Sequence, residues 1–485
     1  MNYMSLVFYA FICIFLIIYY MTPRKYRYIV IAVGSYIFYG YANIKMLVVL
    51  FAITILTYIG GLLIEKKKSK SVYVLFFVLL VLVLVGFKYT NFAIQNVNWI
   101  ASKISLNIVP ISQIDILLPI GLSFIIFQTC TYLGDVYKKN ITAEKNIVMY
   151  AAFVAFFPTV LSGPIQKARE LLPQIKTPEA FDAEQAKKGT ILFIWGLFEK
   201  AMVANKLLII VDKVFSDYTS YNSAYYIVAG ISFSLYIYAD FSSYSDMARG
   251  ISMIMGIKIC KNFSNPYLSK TTSEFWNRWH MSLNNWFVEY VYIPLGGNRK
   301  GKIRKYINIF IVFLISGLWH GADYHFIAWG ILNGILVIIG DITKPLKRKI
   351  YGAVHVNEEV ESIVFCKRAI VFWLITLTWI FFNNDTLESL YIIKSMIFFN
   401  PINFFDQNLL SITGTTATTF ITLLAAILFS VIQIKRQNEG MEYKKYSKQP
   451  FIFQILVMAC LICVCIFATC STEANVNSQF LYFQF

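Results

Sequence analysis

The chain has 485 residues, of which 58% are hydrophobic and only 14% charged, with a formal charge of +17. That composition is too apolar for a soluble domain to cover with polar surface. A charge of this sign would suit nucleic acid in a soluble protein, but the basic residues cluster between apolar runs, as cytoplasmic loops of membrane proteins do.

In chain order, the first apolar run is Leu6 to Met21, with no basic residue before it and no small-residue cleavage site after it. It predicts a retained helix, with the mature chain starting near Met1, and not a signal peptide. Basic stretches follow at MTPRKYR, EKKKSK, VYKKN, GGNRKGKIRK, KPLKRK and EYKKYSK. Placing these in the cytoplasm puts the N-terminus outside and makes Leu6 to Met21, Tyr28 to Tyr41, Met46 to Ile64 and Val72 to Phe87 successive crossings. The segment from Lys88 to Asp115 is then an external loop, and Ile116 to Val136 returns to the inner side. In FFPTVLSGPI, Pro158, Gly163 and Pro164 interrupt an apolar run. Freed backbone groups find no water in lipid, so this predicts a re-entrant segment or cavity wall buried in protein.

Ile191 to Asn205 and Tyr225 to Met255 are further helical runs, and the second carries Asp240 and Asp246 in YADFSSYSDMARG. Carboxylates at such depth face a polar interior. The segment TTSEFWNRWHMSLNNWFVEYVYIPLGG reads as one aromatic-rich amphipathic helix, with Trp276, Trp279, His280 and Leu283 on one face, ending in a Pro-Gly-Gly turn. Ile307 to Gly340, Ile363 to Phe382, Thr415 to Ile434 and Phe451 to Thr469 complete the pattern. The expected fold is all-α: a polytopic transmembrane helical bundle of about eleven spans plus re-entrant and interfacial helices. It occupies residues 1–485 as one domain, without internal repeats. Long continuous apolar runs exclude an outer-membrane barrel, whose strands alternate. Four of the eight cysteines crowd into MACLICVCIFATC, where Cys460 and Cys463 suit packing better than redox or zinc chemistry. No metal site is apparent.

Two of the four histidines are hard to explain as decoration. His320 follows INIFIVFLISGLW, so a helix counted from Lys305 carries it roughly 20 Å into a hydrocarbon core about 30 Å thick. An ionisable residue there marks a substrate or proton path, or bonds between helices. Gly317 and Gly321 around it would let a neighbouring helix approach closely. His280 is either a site residue or an interfacial one, and His325 and His355 read as structural or surface residues. Arg278 can meet substrate or lipid headgroups.

The paired segments SEFWNRWHMSLNNWFVEYVYIPLGGNRKGK and FLISGLWHGADYHFIAWGILNG resemble the signature of membrane-bound O-acyltransferases. Within that family the likeness is to the bacterial branch that includes the alginate O-acetyltransferase membrane subunit. LPIGLSFIIFQTCTYLGDVY, FFPTVLSGPI, WGLFEKAMVANK, YADFSSYSDMARG and the terminal FLYFQF also resemble that branch, and the signature core runs from about Pro119 to Asn333. The resemblance implies a bundle with a tunnel to the catalytic histidine, which His320 matches, and it makes His280 the second histidine of the site. Many relatives carry a histidine where Asn333 stands, which removes any helper role for an imidazole there.

Moving an acyl group from a thioester to a hydroxyl needs a base for the alcohol proton and stabilisation of the carbonyl oxygen. His320 suits the first task. His280, with Arg278 or a tryptophan N–H among Trp276, Trp279 and Trp319, suits the second, and Asp240 is a further candidate substrate-binding residue. The implied participants are acetyl-CoA as acyl donor with no permanently bound cofactor, membrane lipid, an extracytoplasmic acetyltransferase partner protein and a polysaccharide acceptor. The implied location is the bacterial cytoplasmic (inner) membrane. D-alanyl transfer to teichoic acid from a carrier protein, and a transporter with His320 on its path, are the alternatives.

Overall fold

The computed structural model describes residues 1–104 and 109–398 and short stretches beyond, among them 424–430 and 480–481. The described residues form helices and no strand. In order these are α1 Leu6–Met21, α2 Arg27–Gly40, α3 Ile44–Lys67, α4 Lys70–Lys103, α5 Leu122–Tyr137, α6 Ile147–Val154, α7 Ala168–Lys176, α8 Ala183–Phe198, α9 Asn205–Phe215, α10 Ser223–Ile254, α11 Thr272–Arg278 and α12 Met281–Phe287. They continue as α13 Gly301–His320, α14 Tyr324–Ile342, α15 Lys344–Ala353, α16 Glu361–Asn383 and α17 Thr386–Ile397. Among the described helices, α3, α4, α10, α14 and α16 are long and apolar enough to cross a membrane, and α1 is a shorter apolar helix. The chain is a multi-pass membrane protein. Thr415 to Ile434, Phe451 to Thr469 and the Cys460 to Cys463 pair fall mainly outside the described residues.

One compact unit comprises residues 1–193 with 245–260. Its helices begin where local caps allow: the Ser5 hydroxyl accepts from the Phe8 N–H, and the Asn43 side chain accepts from the Lys45 N–H. Glycines set the spacing. A methyl group on Gly60 would come within 2.8 Å of the Phe76 ring on α4, and one on Gly61 within 2.5 Å of Tyr132 on α5. Leu122 to Val136 of α5 is buried throughout, so this helix is enclosed by protein on every side. Its one carboxylate, Asp135, is fully buried and meets Arg169 at 2.6 Å.

α4 departs from expectation. The segment after Phe87, expected as an external loop, continues the helix to Lys103. No proline falls between Lys70 and Lys103, so nothing stops the helix at Lys88, and 34 residues reach about 51 Å, well past the hydrocarbon thickness. The interrupted run after α6 behaves as its prolines require. Residues 155–166 carry no α-helix and are buried. Side chains satisfy their freed backbone: the Tyr3 hydroxyl donates to the Pro158 carbonyl at 3.0 Å, the Phe157 N–H donates to the Ser35 hydroxyl at 3.1 Å, and the Thr131 hydroxyl donates to the Gln166 carbonyl at 3.2 Å.

The second compact unit comprises residues 194–244 with 261–481. Ile307 to Gly340, read as one run, is a hairpin of α13 and α14 broken at Gly321 to Asp323. Gly321 adopts an extended conformation, and Asp323 caps α14 by accepting from the His325 N–H. The two helices touch at Gly317 and Gly330, whose Cα atoms leave no room for side chains. A methyl group on Gly317 would lie 2.4 Å from the Phe326 carbonyl oxygen, and one on Gly330 2.5 Å from that of Phe313. Lys305 and Asp341 close the open end of the hairpin at 2.6 Å. His320 is therefore the last residue of α13, at the turn end of the hairpin and opposite its basic end.

Candidate active site

The expected single helix carrying Trp276, Trp279 and His280 on one face is broken. Trp279 is extended at φ −100°, ψ 131°, and His280 sits in the left-handed region at φ 43°, ψ 53°. Competing hydrogen bonds cause the break. The Ser264 N–H donates to the Arg278 carbonyl at 3.0 Å, the Met281 N–H donates to the Asn262 carbonyl at 2.8 Å, and the Ser282 hydroxyl bonds the Asn262 side chain at 2.6 Å. These bonds satisfy the backbone on both sides of His280 without helical pairing. A positive φ at a non-glycine residue costs backbone energy and is concentrated at functional positions.

The break sends the aromatic side chains in different directions. The Trp279 ring stacks on Phe275 and lies 5.0 Å from that of Trp379. The His280 imidazole meets Phe241 edge to face at 4.6 Å and Trp319 at 6.3 Å. His320 is walled by Trp319 at 4.7 Å, Trp329 at 5.0 Å and Phe382 at 4.9 Å between ring centroids. Both histidines are buried, at 3% and 4% exposure. Trp319 thus lies against both imidazoles, and Trp276 joins the cluster through its edge-to-face contact with Trp329 at 5.5 Å.

The buried indole N–H groups of Trp276 and Trp329 have no acceptor among the described residues. Asn333, by contrast, has a partner at both its nitrogen and its oxygen: its amide donates to the Trp329 carbonyl at 2.9 Å and its oxygen accepts from Thr378 at 3.4 Å. It holds α14 to α16 and is not part of the aromatic wall.

Arg278 and Asp240 are engaged elsewhere. Arg278 pairs with Glu274 one helical turn back at 2.6 Å. Asp240 pairs with Lys200 at 2.6 Å, both side chains being buried at 1% exposure or less, and its other oxygen accepts from the Leu481 N–H at 2.8 Å. Lys200 lies in a π-helical turn over residues 199–204 and faces the Phe480 ring at 4.7 Å. The donor atoms of Asp323, His325 and Asp385 come within 4.8 Å of one another. The two carboxylates there cap α14 and α17, and the His325 Nδ1 bonds the Phe381 carbonyl at 2.8 Å, which accounts for the trio structurally.

Trp329, Phe382, Phe241 and Lys200 are the neighbours that sequence reasoning missed. Trp329 lies nine positions beyond His320, a separation that no helical face joins, and only the hairpin turn brings them together. The Asp323 cap before an apolar run was the available signal for that turn.

The model of the membrane-bound O-acyltransferase family matches residues 137–384, a span that includes both histidines. The chain is 32% identical to the probable alginate O-acetylase AlgI of Pseudomonas syringae pv. tomato, over 91% of this chain and 83% of that protein. It is 32% identical to the peptidoglycan O-acetyltransferase of Helicobacter pylori, over 77% of this chain and 74% of the relative. With the teichoic acid D-alanyltransferase of Bacillus subtilis it shares 28% identity over 45% of this chain and 58% of that protein. A polytopic helical chain with this match across its histidine-bearing segments belongs to the membrane-bound O-acyltransferase family and is an O-acyltransferase.

Proposed function

We propose that this O-acyltransferase moves an acetyl group from a cytoplasmic thioester, acetyl-CoA, towards a hydroxyl of an extracellular or cell-wall polysaccharide. It acts from the bacterial cytoplasmic membrane, and an extracytoplasmic partner protein completes delivery. The observation that carries the reading is His320, buried at the turn end of the α13–α14 hairpin within a wall of Trp319, Trp329 and Phe382.

In this reading the acceptor hydroxyl gives its proton to the His320 imidazole as its oxygen attacks the thioester carbonyl. The tetrahedral intermediate collapses, the C–S bond breaks, and the departing thiolate takes the proton back from the imidazolium. Trp319 sets the position of His280 relative to His320, and His280 orients the thioester. Arg278, tied to Glu274, is better placed to support α11 than to polarise the carbonyl.

Relatives named as O-acetylating enzymes match most of this chain, whereas the teichoic acid D-alanyltransferase matches less than half of it, which favours acetyl over D-alanyl transfer. The test is transfer from labelled acetyl-CoA by the protein in lipid, alongside D-alanine loaded on a carrier protein. Acetyl turnover that vanishes in His320→Ala supports the proposal, and turnover with the carrier alone replaces it with the D-alanyl reading.

A further inference from the structure

Trp329 is the residue of the aromatic wall whose chemistry is left unused. It is 1% exposed, and its indole N–H is sealed from solvent with no acceptor among the described residues. Folded proteins keep few buried donors in that condition, and each one that persists calls for an explanation. The position of this one is tightly determined. Gly330, the next residue, is pressed against the Phe313 carbonyl of α13, which leaves no room for a side chain between α14 and α13. The amide of Asn333 fixes the Trp329 carbonyl, and the indole meets His320 edge to face at 5.0 Å and 84°. On its other flank the ring meets Trp276 at 5.5 Å and 85°, and Trp276 likewise carries a buried N–H without an acceptor among the described residues.

We propose that the Trp329 indole N–H donates to the carbonyl oxygen of the acyl thioester as negative charge develops there, with the Trp276 N–H as a second donor. This rests on the reading of His320 as the base. As the hydroxyl oxygen bonds to the carbonyl carbon and His320 takes its proton, the carbonyl π pair moves onto the oxygen that the indoles hold. That pair returns when the C–S bond breaks, and the thiolate recovers the proton, so nothing is oxidised or reduced. An indole suits the position because it only donates. Unlike a serine or tyrosine hydroxyl, it cannot compete with the acceptor for the acyl group. Aromatic walls exclude water from the site and strengthen a preorganised donor acting on an oxyanion.

The experiment compares wild type, Trp329→Phe and His320→Ala in lipid nanodiscs with acetyl-CoA carrying a 13C-labelled carbonyl. Trp329→Phe keeps an aromatic wall and removes the N–H. The expected result is a fall in kcat of about 10²- to 10³-fold with KM changed by less than about threefold. The infrared carbonyl band of the thioester bound to His320→Ala should lie at lower wavenumber than in the double variant that adds Trp329→Phe. Should Trp329→Phe fail to fold, replacement of Trp329 by benzothienylalanine, which puts sulfur where the N–H was, gives the same comparison at nearly unchanged shape. Wild-type kcat without the N–H, or a carbonyl band that does not move, overturns the assignment and leaves the N–H against the face of a neighbouring ring. Normal transfer by His320→Ala overturns the base reading instead, whatever the band does.

Discussion

The Trp319 indole lies 6.3 Å from the His280 imidazole, although the two residues belong to elements nearly forty positions apart. The same indole packs at 4.7 Å against its chain neighbour His320. One ring therefore lies against both histidines.

Removing that ring should uncouple them. Trp319→Ala is expected to cost about 3–5 kcal/mol, as large-to-small changes at buried aromatic positions do. Trp319→Phe keeps part of the contact and should lose less stability while still reducing transfer. Thermal unfolding in detergent and acetyl transfer in lipid, measured on the same samples, separate the two effects.

His320→Gln should fold and insert with wild-type thermal stability to within about 1 kcal/mol while losing transfer by about 10²- to 10⁴-fold, the usual worth of a positioned base. His280→Asn tests the second histidine with a residue that tolerates the left-handed backbone. It should keep the α11–α12 break and lose transfer, whereas His280→Val should also lose stability, because a β-branched residue resists φ 43°. Equal stability of the two His280 variants would show that the backbone at this position is under no strain.

Two lysine–aspartate pairs of the histidine-bearing unit should respond to very different degrees. Lys200 and Asp240 are buried, so Lys200→Met leaves a buried carboxylate without its counter-charge at a cost of about 3–5 kcal/mol. The double change Lys200→Met with Asp240→Leu should recover much of that loss. Lys305 and Asp341 are about one-third exposed, and Lys305→Met should cost about 1 kcal/mol or less. Chemical denaturation of the four proteins decides this, and equal losses at the two sites would contradict the burial difference.

Gly330→Ala places a methyl group 2.5 Å from the Phe313 carbonyl oxygen and 3.2 Å from the Gly317 Cα, both backbone atoms that cannot swing away. The hairpin must open, with a loss of about 1–3 kcal/mol and a drop in transfer from displacement of Trp329. Gly352→Ala, with open space at its Cβ, is the control and should change neither.

Much of this protein is legible without coordinates. Apolar run length and the placement of lysines mark a polytopic helical membrane protein, because lipid admits few backbone solutions. The prolines and Gly163 of FFPTVLSGPI announce the irregular buried segment before α7. The two histidine motifs resemble those of the family to which the chain belongs. Other features were decided by partners distant in sequence. α4 is a separate case, local in origin: it runs on past Lys88 because no residue there opposes a helix, while hydropathy registers only where lipid-compatible side chains stop. The helix through Trp279 breaks because Asn262 and Ser264 offer its backbone other hydrogen-bond partners. Asp240 finds Lys200 forty residues away on a π-helical turn. His320 itself stands out in the sequence as a polar residue among apolar ones. Its position at a hairpin end, beside Trp329, comes from the close packing of Gly317 on Gly330, a contact between backbones that no side-chain periodicity encodes.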